Sequence, residues 1–578
     1  MSKVIIFATP VFLLLIALEF WWGVARARKG TGRNTYALSD SLNSISLGIL
    51  SQLSGALSKL LTVGIYTAIF MGVATWNIQP DPAFWKTWYG VLAALLMYDF
   101  LYYWNHRTGH EVQVFWAAHV VHHQSQYYNL STALRQPTSY PLLGWIFYIP
   151  MALAGVPPEV FLIVGLIDLL YQFWVHTEQI GKLGWFDRVF CSPSNHRVHH
   201  AVNTQYLDKN YGGILVVWDR LFGTFTEEKE KCVYGTRGQL NSWDPIWANL
   251  EIYSAMAVDS WRTRYWGDKL RIWFKPPGWQ PADLRQSHPK PEFHLEEVTT
   301  FSPSLSRAGQ WFVAGQFLIT LANVALLLWF VDGMPWSQAA LWCTALSASV
   351  WATGRFMQGS LYWLEVLAVQ ASALAALGAV GLLPGYALLK PLPMILAIDF
   401  IATQAIFTWA TGRFRVYLLL ALIFSLGGDI ALLWPERLFI LGLGLFLVAH
   451  IFYIALFRQG LAWFPSRKAL VAVLAVGGAM YALILPGLTD PILQVAVAVY
   501  VGAISCMAAQ AIGRALVLGD AAARWVALGA CIFMASDALI AINKFLTPVP
   551  LAGWWILVTY FTAQLLIVHH ARPHHSAP

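Results

Sequence analysis

The stretch Asp99–Gln136 reads DFLYYWNHRTGHEVQVFWAAHVVHHQSQYYNLSTALRQ, and it decides the fold. It continues an apolar run at 84–104 straight into histidines at positions 106, 110, 119, 122 and 123. His106 and His110 stand at i and i+4, neighbours on one helix face, and His119, His122 and His123 offer i, i+3 and i+4. Ligand spacings at the mouth of an apolar helix predict a helical bundle that holds metal at its end. Farther on, His196, His199 and His200 repeat the second pattern, and His176 stands alone at the end of a span in QFWVHTEQ. Imidazole suits Zn, Cu, Fe and Ni, and eight or nine such side chains suffice for two ions but are too many for one. HExxH is absent, which counts against a zincin-type hydrolase. Bis-histidine haem is a weaker rival, because it needs separated histidines facing each other inside a bundle.

Working outward, the whole chain suits a membrane. Of its 578 residues 57% are hydrophobic and only 12% charged, and the mean hydropathy is +0.54. Soluble domains carry about 25% charged residues. The net charge of +7 sits at the ends of apolar segments, so it reads as loop charge and not as nucleic-acid affinity. The 29 Trp and 23 Tyr suit interfacial belts. Five scattered Cys lack CxxC spacing and form neither a disulfide framework nor a zinc ribbon. The first apolar run is followed by Arg26, Arg28, Lys29 and Arg33, the pattern of an uncleaved first helix ending in the cytoplasm.

Runs of about 20 apolar residues mark spans. They fall near 4–24, 43–76 and 84–104, with a dipping hairpin at 140–154 and 158–175. From Glu178 to about Ser306 the chain turns polar and rich in Pro and Gly, the one sizeable aqueous region. Further spans follow near 310–331, 335–354, 360–384, 391–409, 413–434, 438–457, 465–486, 490–511, 522–543 and 552–571. Arg355, Arg413, Arg415, Arg458, Arg467, Lys468, Arg514 and Arg524 then share the cytoplasmic side with the histidines. The expected architecture is an all-α polytopic membrane protein. A histidine-rich di-metal domain at 1–306 and connecting helices at 307–360 precede an eight-helix membrane domain at 361–578.

Asp99–Gln136, together with Phe173–Phe225 (FWVHTEQIGKLGWFDRVFCSPSNHRVHHAVNTQYLDKNYGGILVVWDRLFGTF), resembles the fatty acid hydroxylase and sterol desaturase superfamily of integral-membrane di-iron enzymes. The match is closest to its alkylglycerol monooxygenase branch. That resemblance implies two irons that activate O2 and hydroxylate the ether-bearing carbon of an alkylglycerol. Fatty aldehyde and glycerol are then released, with tetrahydrobiopterin as reductant. It implies His106, His110, His119, His122, His123, His196, His199 and His200 as metal ligands, with His176 as the ninth candidate. Glu111 matches an acidic position of the family, where it could orient a ligand imidazole or serve as an ordinary helix-end carboxylate. The tract Asn129–Gln136 offers polar groups for a glycerol head.

Ionisable residues inside spans are functional candidates. The C-terminal spans hold Glu365, Asp399, Asp429, His450 and Asp537, and the helix rise puts the three aspartates near one level, which suggests a shared polar cavity. The pieces LLKPLPM (Lys390, Pro391), SLGGDIALL (Asp429), GLFLVAHIFYIALF (His450, Tyr453), FMASDALIAINKF (Ser536, Asp537) and YFTAQLLI (Tyr560, Gln564) resemble the lysoplasmalogenase (YhhN-like) family. That family hydrolyses vinyl ethers, and paired carboxyls fit such a reaction, with Asp429 and Asp537 as the catalytic candidates. Both halves would then release a fatty aldehyde from an ether-linked glycerolipid, with O2 and membrane lipid as partners and an unassigned electron donor.

Two alternatives stay open. One is a di-iron hydroxylase or desaturase of a fatty acyl chain, sterol or carotenoid with a C-terminal module that only binds lipid. The other is a transporter or scaffold with a structural metal site. The tail histidines 569, 570, 574 and 575 read as a solvated terminus.

Overall fold

The computed structural model describes residues 2–74, 82–403 and 412–573, so residues 75–76 and 404–409 of the expected spans, and His574 and His575, lie outside the described residues. The described chain is helical, with two isolated β-bridges, Phe190 to Leu215 and Ala201 to Tyr234. It divides into two compact units, Met1–Ser360 and Leu361–Pro578.

In the first unit the long helices are α1 (Ser2–Arg28), α2 (Leu38–Ala74), α3 (Trp88–Glu111), α4 (Gln113–His123) and α5 (Pro158–Trp174). Then come α6 (Pro193–His199), α7 (Pro245–Arg262), α8 (Trp266–Phe274), α9 (Arg307–Phe330) and α10 (Trp336–Met357). Local chemistry sets their ends. Thr87 accepts from the Gly90 amide at the start of α3, and Ser192 caps α6 with Pro193 in the first turn. Asp244 takes the Ile246 and Trp247 amides at the start of α7. Val112, extended at φ −125°, separates α3 from α4 and turns the chain so that both carry their histidines into one space.

The first half of α2 packs on α9 and α10 through Leu50, Leu53, Leu328, Leu346 and Val350, while α4 is backed by α7 and α8 through Ala117, Met256 and Ile272. Gly48 brings α2 against the loop after Ala133. A Cβ there would stand 2.3 Å from the Leu134 carbonyl oxygen, so Gly48→Ala is expected to push helix and loop apart and destabilise the unit by about 1–3 kcal/mol. A melting curve in detergent tests this. On the opposite side of α7 and α8, Trp261, Trp266, Leu270 and Phe274 face outward.

The second unit contains α11 (Trp363–Ala379), α12 (Leu392–Thr403), α13 (Gly412–Ala431), α14 (Pro435–Arg458), α15 (Arg467–Ile484), α16 (Pro491–Leu518), α17 (Ala521–Phe545) and α18 (Ala552–His570). Among the described residues these are eight longer helices, with a short one at Tyr386–Leu389 before α12, close to the eight expected. Among the described residues of the whole chain, nine helices are long and apolar enough to cross a bilayer, or ten if the bent α2 is one span. The protein is an integral, multi-pass membrane protein.

Fewer helices meet that test than the sequence reading expects. The run at 140–154 breaks into short turns (Tyr140–Leu143, Gly144–Tyr148 and Ile149–Leu153), and α11 has 17 residues. Neither α3 nor α10 is among the spans, and α3 carries Asp99, Asn105 and its histidines along a length that would otherwise suffice.

Candidate functional site

The nine histidines meet as two groups. His106, His110, His119, His123 and His199 form one, and His122, His176, His196 and His200 the other; within each group the candidate ligand atoms lie within 4.8 Å of one another. Helix α4 serves both, because His119 and His123 point to the first group and His122, one residue before His123, to the second. Helix α6 and its C-cap residue His200 do the same, with His199 against His196 and His200. All nine side chains are at most 9% exposed.

Four rings are clamped from behind by backbone carbonyls. His106 Nδ1 lies 2.8 Å from the Tyr211 oxygen, His122 Nδ1 2.9 Å from that of Arg135, His176 Nδ1 2.8 Å from that of Gln172 and His199 Nδ1 3.0 Å from that of Lys209. A carbonyl only accepts, so Nδ1 carries the hydrogen and Nε2 presents a lone pair. His122 and His176 therefore aim two lone pairs at each other across 3.1 Å. No hydrogen bond can form there. A shared cation turns that repulsion into ligation, and for metal–imidazole bonds of about 2.1 Å a 3 Å gap is the spacing of adjacent ligands.

The remaining rings fit the same reading. His196 Nε2 stands 3.1 Å from His176 Nε2, and His119 Nε2 lies 3.1 Å from His106 Nε2 and 3.0 Å from His123 Nε2. The Nε2 atoms of His110, His199 and His200 are buried with no hydrogen-bond partner. Burial first, then neighbouring imidazoles, holds His119, His123, His196, His199 and His200 well below the ordinary histidine range, and burial brings His122 to about 4. These six are neutral donors at pH 7. The donor set fits iron.

Supports that sequence reasoning missed lie one layer out. Asp219, fully buried, accepts from the Tyr211 and Gly212 amides at 2.7 and 2.8 Å and from the Thr224 hydroxyl. It thus fixes the loop whose Lys209 and Tyr211 carbonyls orient His199 and His106. Asp99 takes the Ile214 and Leu215 amides and the Trp218 indole. The only cue in sequence is a lone acid set among apolar and aromatic neighbours, in LLMYDFLYYW and VVWDRLF. Asp219→Asn is expected to weaken metal binding about 10–100-fold. Retained metal under chelator competition measures it.

Of the two readings open for Glu111 the helix-end carboxylate fits, and the glycerol-head reading of the tract after α4 needs correction. Glu111 is exposed and paired with Arg107 at 2.9 Å, while the carboxylate nearest a first-group ring is Asp208, 3.7 Å from His110 Nδ1. The tract Asn129–Gln136 is a strut in place of a glycerol site. Asn129 caps Leu130–Ala133 and donates to the Thr35 carbonyl, Gln136 donates to the Ala133 carbonyl, and the Arg135 guanidinium is consumed by Val121, Asn43 and Gln124.

In the second unit Asp429 and Asp537 each face their own tyrosine. Tyr560 donates to Asp429 Oδ2 at 2.7 Å, and Tyr500 donates to Asp537 Oδ2 at 2.5 Å. His450 Nε2 lies 2.9 Å from the Tyr500 oxygen and 3.8 Å from Asp537. The Phe533 ring sits between these groups, 5.0 Å from His450 and 5.4 Å from Tyr560. Tyr453 donates to Gln564, which reaches Tyr560. Asp399 is exposed, so it joins no cavity with the other two; its helix register aims it outward. Glu365 accepts from the Tyr362 amide and pairs with His569 at 2.7 Å, so one tail histidine is bound and not solvated. His570 stacks on Trp525.

Comparison with known proteins agrees with this division. The fatty acid hydroxylase family matches residues 91–224, and the YhhN family matches 385–571. Human (Homo sapiens) alkylglycerol monooxygenase is 40% identical over 317 residues, covering 54% of this chain and 69% of that protein. The Danio rerio alkylglycerol monooxygenase is 38% identical over 317 residues, 54% of this chain and 68% of its own. The Bos taurus lysoplasmalogenase TMEM86A is 34% identical over 186 residues, 31% of this chain and 75% of that protein. No solved structure matches the chain significantly. The chain therefore belongs to the fatty acid hydroxylase family, alongside the alkylglycerol monooxygenases, and through its second unit to the YhhN family.

Proposed function

We propose that the protein degrades ether-linked glycerolipids by two activities in one chain. The first unit hydroxylates and cleaves alkylglycerol ethers with O2, and the second hydrolyses the vinyl ether of lysoplasmalogens. The observation that carries the first activity is the pair of opposed lone pairs on His122 and His176, repeated around two groups of imidazoles. The relatives named above support the lipid class.

One iron per histidine group is our reading, two in all, and the nine histidines would hold them. Iron, when bound, supplies the O2 chemistry that places a hydroxyl on the ether-bearing carbon. The protein's own part is to keep the imidazoles neutral, fix their tautomers through backbone carbonyls and exclude water. The hydroxylated carbon is a hemiacetal, which collapses to fatty aldehyde and glycerol. Tetrahydrobiopterin as reductant follows from the family likeness. The basic loops support a cytoplasmic mouth for the site.

Residues 1–306 would carry the oxygenase, α9 and α10 would complete its membrane body, and 361–578 would form the hydrolase. A chain ending at residue 360 is expected to keep iron and O2-dependent alkylglycerol cleavage and to lose vinyl ether hydrolysis. Mass spectrometry of products from a defined alkylglycerol and a defined lysoplasmalogen is the measurement. Loss of both activities would mean that the later helices complete the first fold.

A further inference from the structure

The second unit holds a half-open cavity of about 440 Å³ among α14, α15, α16 and α17, a size typical of ligand sites. Its wall follows Ala472–Ile484 on α15 and Val497–Ala508 on α16, about 18 Å at the helical rise. The lining is apolar throughout, with residues such as Leu443, Phe446, Met480 and Ile504, apart from the Tyr500 hydroxyl and one carboxyl, Asp537. Asp429 is not on this wall.

We propose that the cavity receives the single hydrocarbon chain of a vinyl ether lysolipid and that Asp537, not Asp429, delivers the proton to the vinyl carbon. This rests on the reading of the second unit as a vinyl ether hydrolase. A slot of this length and apolarity suits a long alkenyl chain, and its one carboxyl is where an acid must be. Tyr500 has one hydroxyl hydrogen and gives it to Asp537 Oδ2, so His450 Nε2–H donates to the Tyr500 oxygen. Tyr500 and His450 are positioning residues that hold the carboxyl toward the chain.

The chemistry balances. The Asp537 O–H gives its proton to the vinyl carbon remote from oxygen, a C–H bond forms, and the π pair is used, leaving a carboxylate and an oxocarbenium at the ether carbon. Water adds to that carbon and its proton returns to Asp537. The resulting hemiacetal breaks into a fatty aldehyde and the glycerol hydroxyl of the head group. One water is consumed and no oxidant is required.

The test uses the full chain in detergent without O2, so that the first unit cannot turn over, with a C16 lysoplasmalogen and its saturated ether analogue, which the second unit binds but cannot hydrolyse. Asp537→Asn is expected to cut hydrolysis at least about 1,000-fold while binding the analogue within about threefold of wild type. Asp429→Asn is expected to retain a rate at least tenfold above that of Asp537→Asn. Tyr500→Phe should lower kcat about tenfold or more with KM within twofold, a split that misfolding does not give. Ala472→Phe, which narrows the slot at the end away from Ile484 and Val497, should weaken C16 analogue binding at least tenfold while sparing a C8 analogue. Hydrolysis by Asp537→Asn above a tenth of the wild-type rate, or a larger loss in Asp429→Asn, overturns the acid assignment. Equal effects of Ala472→Phe on both chain lengths overturn the slot. A wild-type protein that hydrolyses no lysoplasmalogen sinks the underlying reading itself.

Discussion

Replacing His122 or His199 with alanine is expected to abolish alkylglycerol cleavage, by at least three orders of magnitude, while vinyl ether hydrolysis in the same preparation continues. The two residues sample the two groups. His122 is one of four in its set, and its removal leaves three imidazoles and frees the Arg135 carbonyl that had fixed its tautomer. His199 is one of five, and its loss releases the Lys209 carbonyl. Metal affinity falls steeply when a ligand is removed, more than for the 10–100-fold typical of an outer support. The check is iron per chain together with aldehyde release from a defined alkylglycerol. Full activity in either variant would return these imidazoles to a purely structural role.

The second large effect is expected at Arg135. This side chain is 1% exposed, donates to the Val121 carbonyl at 2.7 Å and to Asn43 Oδ1 at 2.9 Å, and reaches Gln124 Oε1 at 3.3 Å. Burial lowers it to about 10, and the charge of buried Asp40 works against that shift. Asp40 itself is held by the Ser125 hydroxyl. Arg135→Met removes the cation and leaves Asp40, Asn43 and the Val121 carbonyl buried with fewer partners. Breaking such a buried network from one side costs about 3–5 kcal/mol. The neighbouring backbone also carries the carbonyl behind His122, so iron should be lost along with stability. Arg135→Lys is expected to rescue little, because one ammonium cannot span three acceptors set in a fork. Thermal unfolding in detergent and iron content are the readouts; wild-type values for both would show the network to be dispensable.

Much of this molecule is written plainly in its sequence. The helix-period spacing of histidines at 106, 110, 119, 122, 123, 196, 199 and 200 survives folding because each motif sits on a single helix or its C-cap, where i, i+3 and i+4 are fixed by geometry. What the spacing cannot show is the partition. Neighbours such as His122 and His123, or His199 and His200, point about 100° apart on their helices and so serve different groups. His176 could be judged only once Gln172 and His122 were beside it. Asp219 and Asp99 were invisible because their partners are backbone amides more than a hundred residues away or in an irregular loop, neither of which leaves a periodic mark. In the second unit, the helix rise sets three aspartates at one level but does not say which way each helix faces, and Asp399, exposed, does not join the other two.

The turn at 208–213 has a consequence for how the first unit matures. It lends one carbonyl to His106 on α3 and another to His199 on α6, and it is kept closed by the Asp219 carboxylate together with the buried Asn210 amide, which bonds the Asn195 and Thr226 backbone. Two ligands from separate helices therefore share one latch. If the latch opens, both rings lose their orientation together, so the five-histidine group assembles as a unit and has no stable half-built form. Opening the latch, as in Asp219→Asn, should then weaken iron binding at the five-histidine group while the four-histidine group keeps its own ion, which metal content under chelator competition would show as loss of one iron ahead of the other.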